Sequence, residues 1–576
     1  MKNMIYFLLF TMLAGVMFTG CMMTHQTPPP VTPVLGDPAT ALGLYARSYH
    51  YQLAGDLSRA LELRAAATEH DPDSAFLWWS LADLEFQNAM GVDESGRHDW
   101  FERALAHIRR AMALDPDFPD AVQLAQQVYV AMGNTVQAIQ VGLKLVALRP
   151  DDDRYRLDLA RLYAAQEHLD EASVQLESAM EINPANAETY FLLGSIRLQK
   201  SDLKGAEDAL RRAHALDPNN EATVLQLSDL FSSQFRFDEL EALFLEFLQN
   251  RPGSPEVRFR LGSYYFLIGE LDRARELWRP LLSNRYYKEP ALLKLGRLEA
   301  AAERWEQALL HFQALADIKQ EEQTDLWIAY CLERLERWRE AAGVYERLME
   351  KNPADVNYYV AWFEVNRTVG GDDEALRVLR ERLASMPRSP VPIRVEAHCL
   401  SLMERQEEAL ALYRRGLVEY PRSVELRIDQ AFHLERIDRS SEALPLMEEV
   451  LRLEPDNAQA NNYVGYLLAE ENRDLKRALK LVRRALAVEP DNGAYIDSHG
   501  WILFRSGRFE ESVVELERAV NVLGDDPVVL GHLAEAYFEL GRIDSAVAIW
   551  RELAATHDSE DARRRLRQAG YDLTAP

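Results

Sequence analysis

The feature that most limits how this chain can fold is a spacing of 34 residues that runs through most of its length. Prolines recur at this spacing in two series, which are Pro116, Pro150, Pro184, Pro218 and Pro252, and then Pro353, Pro387, Pro421 and Pro455. A unit of this length fits one helical hairpin, because two helices of about fourteen residues, each about 20 Å long, and their turns fill it. Stacked hairpins form an α-solenoid, so we predict an all-α fold.

A small residue recurs twelve positions before each proline slot. Thirteen of its fifteen occupants are alanine, and the full set is Ala60, Ala104, Ala138, Ala172, Ala206, Leu240, Ala274, Ala308, Ala341, Ala375, Ala409, Ala443, Ala478, Ser512 and Ala546. A second small slot, on the first helix of each hairpin, holds residues such as Gly262 and Gly500. Small side chains let the two helices of a hairpin approach closely. Between the helices we predict a glycine with positive φ at Gly133, Gly269, Gly370, Gly507 and Gly541.

This pattern resembles that of the tetratricopeptide repeat (TPR) family over residues 41 to about 558. The resemblance implies an α-solenoid, a right-handed superhelix of about fifteen helical hairpins. We divide it into an N-terminal array (41–286) and a C-terminal array (287–558) continuous with it, followed by a capping helix and tail (559–576). A polar last helix is expected there because a terminal repeat must cover its apolar face.

Two stretches depart from the regular period. Residues 90–99 are a ten-residue insertion, which we interpret as a lengthened loop between the two helices of the second repeat. Between Pro252 and Pro353 the proline slot is held by Tyr286 and Gln320. Either the curvature changes there between two half-solenoids, or the stacking of neighbouring repeats continues through it.

The first twenty-one residues have the pattern of a targeting segment. Lys2 is followed by an apolar stretch from Met4 to Phe18, which is too short for a mature membrane-spanning helix. The sequence Thr-Gly that precedes Cys21 resembles a lipobox, which implies that Cys21 is lipidated and becomes the new N-terminus. The alternative is an ordinary secretory peptide with an incidental cysteine.

Residues 22–40 contain five prolines and predict an extended tether, up to roughly 60 Å long. Met22 follows the cysteine where an aspartate would signal retention, so the lipobox resemblance implies an outer-membrane anchor with the body in the periplasm. The predicted membrane contact is therefore an N-terminal lipid.

The charge and the motifs exclude several functional classes. A formal net charge of -27 would repel a phosphate backbone, so nucleic acid is not an expected partner. Cys331 and Cys399 fall in apolar positions of first helices and are interpreted as core residues. His98 and His107 are the nearest approach to a metal-ligand pair, and no catalytic motif is present. We predict no enzyme activity and no cofactor.

A TPR array implies a groove lined by the first helices, including the fifth and ninth residues of each repeat. The fifth position holds an apolar ribbon, of which Phe191, Leu225 and Phe259 are candidate protein-binding residues. These side chains either pack against neighbouring first helices or accept a hydrophobic segment of a partner protein.

In the C-terminal array, the same two positions predict a second site. Asn462 and Tyr466 occupy them in one repeat, and Asp497 and Trp501 in the next. Stacking should bring the four side chains into one patch, with Tyr463 and His499 nearby. The patch either grips an extended peptide or locks two repeats together through an Asn462–Asp497 hydrogen bond, with Trp501 filling the seam.

The segment from Asn461 to Leu553 resembles a signature shared by TPR lipoproteins of proteobacteria. It includes the run NNYVGYLLAEENRDLKRALKLVRRALAVEPDNGAYIDSHGWILF. The resemblance implies an adaptor that brings a periplasmic C-terminal processing protease together with cell-wall hydrolase substrates. The alternative is a structural part of an outer-membrane machine for polysaccharide export or envelope assembly.

Overall fold

The computed structural model describes residues 40–571 of the 576-residue chain. The predicted signal segment, Cys21 and nearly all of the tether lie outside the described residues. Within 40–571 the chain forms thirty-one α-helices, one short 3₁₀-helix and no strand. Thirty of the α-helices pair into fifteen successive hairpins, as the 34-residue period predicts. We number these hairpins repeats 1 to 15 and refer to the first and second helix of each.

The chain divides into two compact units, and the first ends at Asn284. Its seven repeats are formed by the helix pairs Ala41–Leu53 and Leu57–His70, Ala75–Gly91 and Glu94–Leu114, Pro119–Ala131 and Thr135–Leu148, Asp153–Ala165 and Leu169–Ile182, Ala187–Gln199 and Leu203–Leu216, Glu221–Ser233 and Phe237–Asn250, and Pro255–Leu267 and Leu271–Trp278.

The second unit begins at Arg285. Repeats 8 to 15 are formed by the helix pairs Lys288–Ala301 and Trp305–Ala316, Glu322–Arg334 and Trp338–Lys351, Val356–Gly370 and Asp372–Ala384, Pro390–Leu402 and Gln406–Glu419, Val424–Arg436 and Ser440–Leu453, Ala458–Glu470 and Leu475–Val488, Gly493–Arg505 and Phe509–Leu523, and Pro527–Glu539 and Ile543–Thr556. A final helix, Glu560–Gln568, follows repeat 15.

The small residues act as the spacing predicts. All thirteen alanines of the slot are at most 1% exposed. Ser512, which replaces alanine in repeat 14, is also buried, and its hydroxyl donates a hydrogen bond of 2.8 Å to the carbonyl of Gly500. A Cβ on Gly262 would lie 2.5 Å from Nε1 of Trp278, and one on Gly500 would lie 2.7 Å from Cγ of Leu516. Glycine is therefore required where the two helices of these hairpins touch.

The turn between the two helices uses the left-handed region in nearly every repeat. Gly133, Gly269, Gly507 and Gly541 have φ between 71° and 82°, as predicted. The prediction for Gly370 is wrong, because that residue ends the first helix of repeat 10 and the positive φ, 78°, belongs to Gly371. In eight repeats the same slot holds a residue other than glycine, namely Glu167, Ser201, Phe235, Glu303, Glu336, Glu404, Asp438 and Asn472.

The interpretation of residues 90–99 as a long loop is also wrong. The insertion lengthens both helices of repeat 2, which have 17 and 21 residues, and only Val92 and Asp93 connect them. The segment contains no proline, and the Asp93 carboxylate caps the second helix by accepting a 3.2 Å hydrogen bond from the amide of Gly96. Phe86 and Phe101 pair at a centroid distance of 5.8 Å at the base of the extra turns and hold the two helices together there.

Repeat 7 is the other irregular hairpin. Its second helix has only eight residues and passes at Arg279 into a 3₁₀-helix, Arg279–Ser283. Pro280 stands at the start of that turn, and its ring and missing N–H disfavour continuation of the α-helix. The first unit ends directly after this segment.

The final helix covers the end of the solenoid. Ala562 and Leu566 are 2% and 0% exposed and pack into one cluster with Trp550 and Leu553 of repeat 15. The helix is otherwise polar, with Ser559 as its N-cap. It therefore supplies a small apolar face to repeat 15 and presents charge to solvent.

Candidate functional site

Four aromatic rings from repeats 13 to 15 come together at the first helices of the second unit. We call this set, which consists of Tyr466, Trp501, Phe504 and His532, the aromatic patch. The Trp501 ring stacks on Phe504 at 4.8 Å and on His532 at 4.1 Å, with interplanar angles of 10° and 16°. Tyr466 lies 6.4 Å from His532. Tyr466, Trp501 and Phe504 are only half-buried, so a partner can still reach their rings.

Charged and polar groups hold these rings in place. Asp497 is buried and accepts hydrogen bonds of 2.9 and 3.2 Å at its two oxygens from Nδ1 of His532. The indole N–H of Trp501 donates a 2.5 Å hydrogen bond to Glu470, whose backbone carbonyl accepts one of 3.3 Å from Arg505. The Arg505 guanidinium also lies 5.7 Å from the centre of the Trp501 ring. The rings are therefore oriented before any ligand arrives.

The predicted hydrogen bond between Asn462 of repeat 13 and Asp497 of repeat 14 is not formed. Asp497 does not bond Asn462; its partner is His532 of repeat 15. Within residues 40–571, the buried side-chain oxygen of Asn462 and the hydroxyl of Tyr463 have no hydrogen-bond partner. His499 does not join the patch, because it faces Glu515 of its own hairpin at 3.6 Å.

His532 is the residue that the sequence analysis missed. It occupies the sixth position of repeat 15, next to Gly531 at the fifth, whereas the protein-binding residues predicted from the sequence all lie at fifth or ninth positions. A similar contact between a fifth and a sixth position occurs in the same unit, where Arg394 of repeat 11 pairs with Asp429 of repeat 12 at 2.6 Å. The sixth position of one repeat therefore reaches the fifth of the repeat before it.

Burial controls the protonation of the two tyrosines. It is the main cause that raises the pKa of Tyr466 to about 12, and the carboxylates of Glu470 and Asp497 add to the shift. Burial likewise raises the pKa of Tyr463 to about 12, with a smaller contribution from Glu435. Both hydroxyls therefore keep their protons well above neutral pH, and that of Tyr463 is buried without a partner within the described residues.

The apolar ribbon of the first unit is largely covered by its neighbours. Phe191 is 6% exposed, whereas Leu225 and Phe259 are half-buried. The Phe259 ring lies 6.3 Å from Trp278 of the same hairpin, and the Trp278 indole donates a 3.0 Å hydrogen bond to the Phe259 carbonyl. This burial favours packing between helices over an open groove at Phe191, and leaves apolar surface at Leu225 and Phe259.

The candidate chemical groups elsewhere are engaged in packing. Cys331 and Cys399 are both buried, and burial raises the pKa of the Cys331 thiol to about 11. His107 contacts the buried Glu85 at 2.7 Å, whereas His98 is exposed. Residues 40–571 contain no group of three His, Cys, Asp or Glu side chains arranged to hold a metal ion. None of the helices in that range is long and apolar enough to cross a bilayer.

Comparison with known families finds TPR sequences in both units. One tetratricopeptide-repeat profile matches residues 157–221, 290–356 and 428–495, and a second matches 532–559. The chain therefore carries tetratricopeptide repeats, and its fold is an α-solenoid of fifteen helical hairpins. Proteins built from such repeats are generally scaffolds for protein–protein interaction.

The individual relatives are distant. The human protein O-mannosyl-transferase TMTC1 is 24% identical over 215 residues, which are 36% of this chain and 23% of that protein, so the match spans about a quarter of its length. The solved structure of Naa15/Naa10 bound to HypK-THB is similar with a TM-score of 0.41 and 19% identity, over 78% of this chain and 70% of that one. The APC/C hetero-tetramer Cut9-Hcn1 has a TM-score of 0.33 and 14% identity, over 86% and 98% of the two chains.

Proposed function

We propose that this protein is a membrane-anchored scaffold that binds an extended segment of a partner protein at the aromatic patch. The observation that carries the proposal is the prebuilt stack of Trp501 on Phe504 and His532, fixed by Asp497 and Glu470. Aromatic rings that are already oriented supply contact area at low entropic cost. Because these rings remain half-exposed, they can still accept an apolar side chain from a partner.

The polar groups beside the rings would set the register of such a segment. The Tyr466 hydroxyl, protonated at neutral pH, is suited to a backbone carbonyl. Together with the rings, this composition matches an extended peptide better than a small polar metabolite.

Within the cell, we propose the role of an adaptor. The lipobox at Cys21 supports an outer-membrane anchor, and the resemblance of Asn461–Leu553 to proteobacterial TPR lipoproteins supports a partnership with a periplasmic processing protease and its substrates. Such an adaptor acts by raising the effective concentration of its two partners and needs no catalytic group of its own. Neither nucleic acid nor a cofactor has a part in the proposal.

The test is capture of partners by variants of the full-length lipoprotein from crosslinked native envelopes. Trp501→Ala removes the centre of the ring stack, and Asp497→Ala removes the carboxylate that holds His532. Trp305→Ala is the matched control, because Trp305 of repeat 8 is also half-buried and pairs with Tyr330 of repeat 9 at 5.5 Å, outside the patch.

We expect Trp501→Ala and Asp497→Ala to lose the protease and hydrolases that wild type and Trp305→Ala retain. The melting curve of Trp501→Ala should change little, whereas Asp497→Ala should lose about 1–3 kcal/mol because it leaves His532 without its buried partner. Equal capture by all four proteins would refute a binding role of the patch. A loss of several kcal/mol of stability in both patch variants would show that the patch is structural only. Recovery of a β-barrel export protein in place of a protease would favour the alternative role in polymer export or envelope assembly.

A further inference from the structure

The second helix of repeat 13, Leu475–Val488, has a charge unlike that of the rest of the molecule. It carries five cationic side chains and no acidic one, in a chain whose net charge is -27. Arg477 is paired with Glu448 of repeat 12 through two contacts of 2.6 and 2.7 Å. The other four are Lys476, Lys480, Arg483 and Arg484, which we call the basic stripe.

The basic stripe lacks the ion pairs that other second helices have. Within residues 40–571, none of its four side chains has a carboxylate within 4.0 Å. At the start of the second helix, repeats 11, 12 and 14 instead pair an arginine with a glutamate three residues later, as in Arg405–Glu408, Arg439–Glu442 and Arg508–Glu511. Four unpaired cations on one helix therefore leave a local positive potential that the neighbouring hairpins do not have.

The stripe faces solvent, and the packing of the opposite side of the helix prevents rotation of the helix about its axis. Ala478, Leu481, Val482 and Ala485 are at most 6% exposed, and they fix the opposite side of the helix in the core. Lys476, Lys480 and Arg483 are exposed and Arg484 is half-buried. An open groove of about 400 Å³ runs along the helix between them. From residue 476 to residue 484 the stripe is about 12 Å long.

The neighbouring helices limit what can bind there. The second helix of repeat 12 presents Glu442 and Glu448, and that of repeat 14 presents Glu510 and Glu511. All of these except Glu510 are paired with arginines, so neither helix adds an unpaired cation beside the stripe through these residues. A positive strip one helix wide thus lies between two helices that carry carboxylates. A flat anionic bilayer laid on this face would meet those carboxylates as well, whereas a narrow chain lying along the stripe would meet mainly cations.

We propose that the basic stripe binds an acidic segment of a partner protein, lying along the helix with carboxylates three or four residues apart. Cations at positions 476, 480, 483 and 484 occupy one face of the helix, so a partner helix with glutamates at that spacing places each carboxylate opposite a cation. This surface belongs to a second helix and is separate from the aromatic patch. The two surfaces could therefore hold two different proteins on the same unit.

The probe is a fluorescein-labelled 14-residue helical peptide with glutamate at every fourth position and alanine between. Its binding to the full-length protein is measured by fluorescence anisotropy at 50 and 300 mM NaCl. The test variant is Lys476→Gln/Lys480→Gln/Arg484→Gln. The matched control, Arg109→Gln/Arg110→Gln/Lys204→Gln, removes three exposed cations from second helices of repeats 2 and 5. Phosphatidylglycerol vesicles and a single-stranded oligonucleotide of twelve nucleotides are competing ligands.

We expect the test variant to bind the peptide about tenfold more weakly than wild type, and the control to bind it within about twofold. Higher salt should weaken wild-type binding and leave the residual binding of the test variant nearly unchanged. The proposal is overturned if both variants lose affinity equally or if wild type does not bind the peptide at 50 mM NaCl. It is also overturned if vesicles or the oligonucleotide compete through the stripe more strongly than the peptide does.

Discussion

At the scale of single residues, the turn inside each hairpin is the most repetitive requirement of this molecule. The slot has φ between 52° and 82°, and eight repeats fill it with a residue other than glycine. An L-residue in this region costs roughly 1–2 kcal/mol relative to the right-handed helix, and glycine avoids that cost. The fold therefore tolerates a small strain in many turns, each held by packing of the two helices on either side.

The cost of positive φ can be measured separately in repeat 15, because one of its glycines has positive φ and another lies inside a helix. Gly541 has φ of 81°, Gly531 lies inside the first helix, and a Cβ on either would meet no atom within 4 Å. We predict that Gly541→Ala lowers the unfolding free energy by about 1 kcal/mol, since only the backbone conformation is penalised. Gly531→Ala should raise it by up to about 1 kcal/mol, because alanine favours helix. Urea denaturation followed by circular dichroism measures both, and shifts of the same sign would contradict the assignment.

The candidate site shows what single positions can and cannot reveal. Stacking of equivalent positions predicts one patch in repeats 13 and 14, and in the structure Tyr466, Asp497 and Trp501 of those repeats all contact His532 of repeat 15. It does not identify the partner of Asp497, because His532 reaches back from the sixth position of the next repeat. The offset depends on how successive first helices rotate against each other, and a one-dimensional period contains no information on that rotation.

At the scale of elements, neighbouring hairpins in the first unit are joined by an ion-pair network. The Arg236 guanidinium contacts Glu207 of repeat 5 through two hydrogen bonds of 2.6 and 2.8 Å. Arg211 approaches Glu207 at 2.8 Å, and both arginines also contact Glu239. Hydrogen bonds from Arg236 are the main cause that lowers the pKa of Glu207 to about 2. The network therefore joins the second helix of repeat 5 to that of repeat 6.

This network predicts a specific response to acid. The ordinary pKa of a glutamate is 4.5 and that of Glu207 in the fold is about 2, so the stabilisation is complete above about pH 4.5 and is lost as the pH falls towards 2. Glu207→Gln should lower the unfolding free energy at pH 7 by about 0.5–1 kcal/mol, the usual range for partly exposed ion pairs. The difference from wild type should shrink towards zero near pH 2.

The matched control for the acid prediction is Glu102→Gln, which changes an exposed glutamate of the second helix of repeat 2. Urea midpoints at pH 7 and pH 2.5 give the comparison. Glu102→Gln should match wild type at both values. A Glu207→Gln deficit that persists unchanged at pH 2.5 would show that its effect comes from packing and not from charge.

The positions of the regular hairpins were predictable from the period of the prolines and the alanines. The insertion in repeat 2 was not, because a ten-residue segment with six polar residues and two glycines is compatible with either a loop or extra helical turns. The pairing of Phe86 with Phe101 across the lengthened hairpin favours helix, and such a contact is long-range in sequence. Pro280 indicates the 3₁₀ segment of repeat 7 locally. It does not belong to the 34-residue proline series, so a search for that period alone overlooks it.

At the scale of the whole molecule, the number of hairpins and their order follow directly from the 34-residue period. The thirteen alanines support this prediction, because every one of them is buried in the structure, as close packing within each hairpin requires. The membrane anchor is different in kind. It depends on Cys21, which lies outside the described residues, and so remains a prediction from the lipobox alone.

The proposed anchor can be tested on the full-length protein in its native host. Cys21→Ser should accumulate as an uncleaved precursor and fail to incorporate a palmitate analogue, because the serine hydroxyl cannot form the thioether to the diacylglyceryl group. Cys331→Ser is the control, since that thiol is buried and should not be lipidated. Labelling and processing of the Cys21→Ser variant at the wild-type level would remove the lipoprotein proposal.

The recurring left-handed turn has a consequence for how such a chain can change in length. Each of these turns presents the same backbone conformation, as at Gly133 and Glu167, which are one period apart. A deletion in the gene that removes residues 134–167 would join Gly133 to His168, so the new junction would reproduce a turn that the protein already makes. Recombination could therefore add or remove whole hairpins while every junction keeps a turn conformation that the protein already uses. The number of stacked hairpins would then change in single steps between related genes.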